Sequence, residues 1–334
     1  MKRLFLFAGL ILATACSSGG GSSSAPLPIV TPVPTPQLAT PVTAGITLAG
    51  GLYQAVLAPD SRVWFAEFSG DKVAAMTSAG VVTEYTLPVN SQPNGICVGS
   101  DGNIWTGGYG GTIYKISTAG VVLGSFPIAG AHFGGLVAGP GGLVWFTDYG
   151  NNQVGSITTA GVTTEYGVIP NRPNQIAVGS DGNLWITNAT TGTGVTKISP
   201  AGAVLASYST GIPSNLSPSG IVAGPDGNLY IALDGFNNTI NDAIAKVTMA
   251  GTISILGTIA PSSYPNELGV GSNGNIYFSE YDAARIGKIT VATGTVADYA
   301  FTPVAGDSRY AAVATGADGR LYLGSANSIY PFTP

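Results

Sequence analysis

Histidine occurs once in this chain, at His132, and cysteine only twice, at Cys16 and Cys97. With one cysteine in the body of the protein, no internal disulfide can form there. Charge is equally scarce. Only 9% of residues are Asp, Glu, Lys or Arg, and the 12 basic residues against 17 acidic ones leave a net charge of −5. A phosphate-binding surface needs Lys and Arg clustered on one face, so nucleic acid is excluded as a partner. Also missing are a Gly-rich phosphate loop, a G-x-S-x-G elbow and an H-E-x-x-H helix, so the enzyme classes built on them have no support. Heptads and helical repeats are absent too, and helix is expected to be rare.

What the chain has in plenty is glycine, 49 residues of it, and hydrophobic residues, 45% of the total. That mixture suits many short strands joined by tight turns. The N-terminus stands apart from it. Lys2 and Arg3 precede an apolar run from Leu4 to Ala15, too short to cross a bilayer as a mature helix and suited to a secretory signal peptide over 1–15. The run ends in L-A-T-A-C, which resembles the bacterial lipoprotein box although Ala13 stands where Leu is usual. In such a box the cysteine is lipidated, which makes Cys16 the expected membrane anchor and the cell envelope, facing periplasm or exterior, the expected location. Plain secretion is the alternative. The segment 16–42 continues with Ser, Gly, Pro and Thr, a composition that stays extended and forms no core, and reads as a tether.

The remaining chain, 43–334, repeats one phrase. Gly179 to Trp185 reads GSDGNLW, an Asp181-Gly182 turn running into an aromatic strand. A hairpin turn of the two-residue type needs positive φ at both central positions, which Asp-Gly tolerates. Equivalent turns begin at residues 60, 101, 141, 181, 226, 273 and 318, so successive copies lie 40 to 47 residues apart. That period belongs to propeller blades of four strands each. An all-β, seven-bladed propeller is the fold expected. Between 173 and 208 the four strands are QIAVG, NLWIT, VTKIS and AVLASY. One aromatic column runs through the repeats: Trp64, Trp105, Trp145, Trp185, Tyr230, Tyr277 and Tyr322. Such a column is expected to wedge neighbouring blades together. The last repeat lacks a fourth strand, and Gly45 to Leu48 is expected to supply it and close the ring.

Propeller ligands gather at one mouth of the central channel, where the inner strands begin. The residues at that position are Tyr53, Asn94, Gly134, Asn174, Ser219, Asn266 and Ala311. Tyr53, Asn94, Asn174 and Asn266, with His132 and Arg309 two positions before their blade's mouth residue, form the candidate ligand-binding set. The asparagines can alternatively satisfy their own backbone in Asx turns. Glu67, Asp148 and Glu280, at the ends of second strands, could partner His132 or could instead satisfy loop amides. Cys97, within an apolar strand, reads as a small buried hydrophobe. Asp234, Asn237, Asn238, Asn241 and Asp242 crowd one insertion, but their spacing matches no known Ca²⁺ loop and is expected to reflect turn chemistry.

The phrase PNGICVGSDGNIW at Pro93–Trp105, with IGKIT at Ile286–Thr290 and the T-E-Y of Thr83–Tyr85, resembles the blade of the virginiamycin B lyase family. That family is a seven-bladed propeller that opens the streptogramin B ring by elimination. The resemblance implies Mg²⁺, histidines at the mouth positions of the sixth and seventh blades, a glutamate two residues before the second histidine, and another beyond the last blade's aromatic. Here those positions hold Asn266, Ala311 and Arg309, and Gly324 and Ser325 stand near the last. Elimination needs a base and an acid or metal, roles that an amide, a methyl and a guanidinium do not fill near neutrality. No catalytic residue and no cofactor are therefore assigned, and Mg²⁺ is implied only if lyase activity is retained. The expectation is a membrane-anchored module that binds a small molecule, glycan or protein. The alternative is a diverged carbon–oxygen lyase or hydrolase at the channel mouth.

Overall fold

Each repeat turns on a three-residue loop. The computed structural model describes residues 37–38 and 51–334, apart from 168, 170 and 236–239. In the second repeat Gly102 N–H donates to Gly99 O (2.9 Å) and Gly99 N–H to Asn103 O (2.9 Å), which makes Ser100, Asp101 and Gly102 the loop. Only its last residue is left-handed, with φ of 73° at Gly102 and a matching 63° at Ser61 and 73° at Gly182. The two-residue turn with positive φ at both centres is thus replaced by one that demands it at one position. Asp is retained for a different reason. Asp101 Oδ1 accepts the Asn103 N–H (3.2 Å), an Asx turn that Asp181 repeats with Asn183 (3.1 Å).

The strands are those the repeat implies. Blade 1 comprises Leu52–Leu57, Val63–Glu67, Lys72–Met76 and Val82–Thr86, and blade 4 comprises Pro173–Val178, Leu184–Asn188, Val195–Ile198 and Val204–Tyr208. Seven four-stranded antiparallel sheets result, six of them in simple chain order. In the seventh, Gln37–Leu38 pairs with Ile329–Thr333 and closes the ring. The closing strand is thus earlier than Gly45 to Leu48, a segment outside the described residues. Chain reach explains the difference. The three residues between Leu48 and Leu52 span at most ~14 Å, while crossing a blade takes three strand spacings of about 4.8 Å before the step to the next blade. A closing strand further back leaves the connection enough chain.

Burial follows the seams between blades. Seven apolar clusters form among the described residues, and each contains one member of the aromatic column: Trp64 lies among blade 1 and 2 residues, Trp185 among blade 4 and 5 residues, Tyr322 among blade 7 and 1 residues. The column wedges blades, as its periodicity requires. An outer-strand aromatic backs each tryptophan: Tyr85, Phe126, Tyr166 and Tyr208 stack on Trp64, Trp105, Trp145 and Trp185 at 5.0 to 5.7 Å. Their far faces lie against a glycine of the following blade. A Cβ on Gly202 would sit 1.8 Å from Tyr166, so that glycine serves close approach as well as its φ of 81°.

A cation finishes the seam. Lys115 pairs with Asp101 (2.8 Å) and Lys197 with Asp181 (2.7 Å), each ammonium about 5 Å from its own blade's tryptophan ring, at 5.5 and 5.0 Å. Each then donates to a carbonyl of the next blade, Lys115 to Thr159 O (2.9 Å) and Lys197 to Met249 O (3.1 Å). In blades 1 and 7 the lysine position, opposite the aromatic, holds Ala75 and Pro331. There an arginine in the turn substitutes: Arg62 donates to Thr118 O, and Arg320 to Ser78 O at 2.7 Å. The Arg320 contact joins blade 7 to blade 1, so the ring is closed by a side chain as well as by a strand.

Candidate functional site at the channel mouth

Every inner strand from blade 1 to blade 6 begins with a slip in register against its neighbour, as between Pro173 and Ile176 or Pro265 and Leu268. Such bulges re-aim side chains. Second-strand hydroxyls hold them: Thr187 Oγ1 accepts the Gln175 N–H (3.0 Å) and Ser279 Oγ the Glu267 N–H (3.1 Å). The mouth is therefore a stiff rim of misregistered strand ends.

Beside the axis, against blades 4, 5 and 6, the rim opens into a cavity of about 380 Å³. Tyr53, Asn174, Ser219 and Asn266 line it from the inner strands, with Asp234, Tyr264, Tyr281 and Asp282 above. Three of the candidate residues, Tyr53, Asn174 and Asn266, are thus brought together. Tyr53 Oη and Tyr281 Oη share a hydrogen bond (3.2 Å), and Tyr281 is further pushed up from the usual phenol value, chiefly by burial.

The other candidates fall elsewhere. Asn94 is buried, and its Nδ2 donates to Phe133 O (3.3 Å) and Gly134 O (3.0 Å). Asn174 donates likewise to Ser219 O (3.4 Å), and Ser219 to Pro265 O (2.7 Å). These polar residues bond to the following blade's backbone, not to their own as in an Asx turn. His132 is exposed and stacks on Tyr109 (5.6 Å) beside Tyr149 (5.4 Å), outside the cavity lining. Phe68 and Tyr53 continue this crescent of rings to Tyr281, at successive centroid distances of 5.0 to 6.3 Å. Arg309, exposed with φ of 57°, lies on the rim, where the next residue's N–H donates to Tyr281 O (3.0 Å).

Among the described residues no carboxylate is hydrogen-bonded to the His132 ring. Asp148 Oδ1 accepts the backbone N–H groups of His132 (2.9 Å), Gly150 (3.0 Å) and Asn151 (3.1 Å), the loop-tying role. Glu67 and Glu280 are fully buried in other blades, and burial pushes Glu280 up to about 7. In the fifth-blade insertion Asp242 accepts from Gly235 N–H (2.7 Å) and Tyr264 N–H (2.9 Å). These bonds tie the insertion to the loop before the sixth blade and are not the local turn bonds expected of it; Asn237 and Asn238 lie outside the described residues. Cys97 is buried, and its thiol is pushed up by burial and by the nearby Asp101 charge, which makes it inert.

The residues at the family's metal positions do not fit Mg²⁺. Ala311 is a buried methyl, Arg309 a cation, and the Ser325 hydroxyl is committed to Asp307 Oδ2 (2.6 Å) and Ser328 O (2.9 Å). Hard divalent cations require carboxylate or carbonyl oxygens, and only the Asn266 amide of this set supplies one. Among the described residues no three His, Cys, Asp or Glu side chains gather to hold an ion.

Gln54, Gln175 and Glu267 immediately follow Tyr53, Asn174 and Asn266, and meet inside the channel: Gln54 Nε2 donates to Gln175 Oε1 (2.5 Å) and to Glu267 Oε2 (3.3 Å). Strict alternation would send these side chains into the sheet packing. The bulge redirects them, and nothing in the local sequence marks a bulge.

Comparison with known proteins agrees with this architecture. The chain matches the model of the virginiamycin B lyase family over residues 47–235 and 172–329. A search of the curated proteins gives no match. Among solved structures, a streptogramin B lyase superposes with a TM-score of 0.78 at 25% identity, covering 89% of this chain and 97% of its own. A catalytically inactive histidine-to-alanine variant of virginiamycin B lyase from Staphylococcus aureus, solved with quinupristin, gives a TM-score of 0.79 at 22% identity, covering 90% of this chain and 100% of its own. The WD40 propeller domain of Doa1 gives 0.70 at 14% identity, over 89% of this chain and 96% of its own, a likeness of fold alone. By the match of the family model across most of its length, the chain belongs to the virginiamycin B lyase family.

Proposed function

We propose that this protein is a ligand-binding propeller, held at a membrane by lipid on Cys16, that uses the mouth of the lyase scaffold without the lyase reaction. The observation that carries this reading is the chemistry of the cavity. Its lining offers phenols, amides, hydroxyls and carboxylates for recognition, while Asn266, Ala311 and Arg309 occupy the positions where the family resemblance implies acid–base and metal chemistry. Incubation of the purified protein with quinupristin and Mg²⁺, followed by mass spectrometry, tests it. Intact quinupristin is expected, and a linearised product would overturn the reading. Anchoring is tested separately: palmitate labelling of the full-length protein is expected to disappear in Cys16→Ser, and labelling that persists refutes the anchor.

The second reading, a diverged carbon–oxygen lyase or hydrolase, is supported by one residue. Burial pushes the Glu267 carboxyl up to about 8, close to where a general acid or base works best. A substrate screen in which activity appears and is then lost in Glu267→Gln would favour it.

A further inference from the structure

Blades 1, 4 and 6 are not neighbours in the ring, so contacts among Gln54, Gln175 and Glu267 can be made only across the central axis. The remaining inner-strand residues of this layer are Gly95, Gly135, Gly220 and Ala312, which carry nothing larger than a methyl. The three polar side chains thus cross space that four small residues leave. Ile96 N–H donates to Gln54 Oε1 (3.1 Å), which fixes the amide so that its Nε2 faces the axis as a donor. Gln54 therefore orients Glu267. The carboxyl takes that one long bond on Oε2, while Oε1 takes none among the described residues, and the side chain retains part of its accessible surface.

The charged residues that line the cavity are acidic. Asp234 and Asp282 line it and no lysine or arginine does. Glu280 and Asp242 lie buried behind its walls. The guanidinium groups of this face sit on the rim, Arg172 over the Tyr149 ring at 5.4 Å and Arg309 beside Tyr281. Three tyrosine rings complete the lining, and an aromatic wall with carboxylates beyond it favours a cation that carries an apolar body.

We propose that the channel below the mouth is an ammonium subsite, in which Glu267, oriented by Gln54 and flanked by Gln175, receives the amine end of a ligand whose aromatic or apolar body lies against Tyr53, Tyr264 and Tyr281. The inference rests on the cavity being the binding site and adds the class of ligand it takes. Burial without a counter-ion keeps the Glu267 carboxyl largely protonated at neutral pH, up at about 8. An arriving ammonium supplies the missing charge. The carboxyl proton passes to solvent, and an ion pair remains.

Phenethylamine and 2-phenylethanol, equal in shape and different in charge, are suitable probes for calorimetry on the full mature protein. The amine is expected to bind at least about tenfold more tightly than the alcohol at pH 8.5. Its affinity should rise by more than about tenfold between pH 6 and 8.5, because the ionised fraction of such an acid climbs from roughly a hundredth to about three quarters. Titrations in buffers of different ionisation enthalpy should count close to one proton released at pH 7. Glu267→Gln should bring the amine down to the alcohol's affinity and flatten its pH profile, whereas Asp282→Asn on the rim should cost less than about threefold. Should Glu267→Gln fail to fold, the pH profile and proton count of the native protein decide. Equal binding of both probes, or an amine preference that survives Glu267→Gln, overturns the subsite and leaves the cavity reading standing. Failure of both probes to bind removes both.

Discussion

Replacing Trp185 by alanine tests the wedge on which the ring depends. The indole is 0% exposed, stacks on Tyr208 at 5.6 Å and belongs to a cluster made largely of blade 5 residues such as Leu216, Leu229 and Leu233. A tryptophan buries on the order of 200 Å², worth ~5 kcal/mol at about 25 cal/mol per Å² as an upper bound. Polar loss adds little. Asp181 accepts the indole Nε1–H (3.3 Å), but without it the carboxylate still holds Lys197 (2.7 Å) and the Asn183 N–H (3.1 Å). The expected cost is therefore that of packing, ~3 to 5 kcal/mol as for other buried tryptophan truncations. For a ring of this size it lowers the melting midpoint by roughly 5 to 8 °C. Melts followed by near-ultraviolet circular dichroism at fixed scan rate measure it, with Trp185→Phe as the companion. Phenylalanine keeps an aromatic wedge and forfeits the N–H, so it should lose less than half as much. An unchanged midpoint in Trp185→Ala, or equal losses in both variants, would refute the packing argument.

Gly202→Ala meets both a φ of 81° and Tyr166 at 1.8 Å, whereas Gly182→Ala meets a φ of 73° and open space; denaturant midpoints should show a loss of about 1 kcal/mol for the second and about 2 to 3 for the first. Asn273→Asp should stabilise by about 0.5 to 1 kcal/mol, read as a rise in melting midpoint, because it places the carboxylate of blades 2 and 4 beside buried Lys288, whose pKa burial lowers. Stability should peak between about pH 4 and 5. Below that range it is lost, because partial burial, which raises Asp101 and Asp181, is outweighed by the hydrogen bonds from Lys115, Asn103 and Trp105 and from Lys197, Asn183 and Trp185 together, which hold them at about 2, under their unfolded values. Above it, Glu280 and Glu267 must ionise on unfolding while burial keeps them up at about 7 and about 8, so stability falls as pH rises from the unfolded glutamate value through those values. Glu267→Gln should flatten the alkaline limb in urea titrations, and a limb that keeps its slope would contradict that assignment.

Those features that every blade needs were legible in the sequence. The aromatic column and the four-strand spacing recur in every blade and the turn carboxylate in five of the seven, Gly141 and Asn273 standing at the other two, and recurrence is visible without coordinates. Substitution within the module was not. Arg62 and Arg320 take over from a lysine that Ala75 and Pro331 displace, which becomes apparent only when cross-strand partners are known. The closing strand was misplaced because Gln37 and Leu38 form a single pair of contacts in a proline-rich stretch that no alternation marks. At the mouth, Tyr53, Asn174 and Asn266 were found by counting from the turns. Asn94, counted the same way, carries a structural bond instead, and the Gln54, Gln175 and Glu267 layer was hidden by bulges that break the two-residue period.

The seam modules sit at the turn end of the inner strands and the cavity at their beginnings, about 20 Å away along six residues of strand. Substitutions at that separation act independently. The mouth can therefore change its chemistry without cost to the ring, so membership of the family does not by itself fix the reaction. Independence has a limit, and restoring the histidines implied by the resemblance locates it. Asn266 lines open cavity, so Asn266→His needs no repacking and should shift the melting midpoint by less than about 2 °C. Ala311 is 1% exposed, with its N–H committed to Gly324 O at 3.0 Å between buried Tyr310 and Ala312. An imidazole there must displace packed neighbours, at ~1 to 3 kcal/mol. Thermal melts of the two single variants decide the matter. If Ala311→His is tolerated as well as Asn266→His, the seventh blade holds room for the reaction's second histidine, and the closed packing at Ala311 is not what keeps it out.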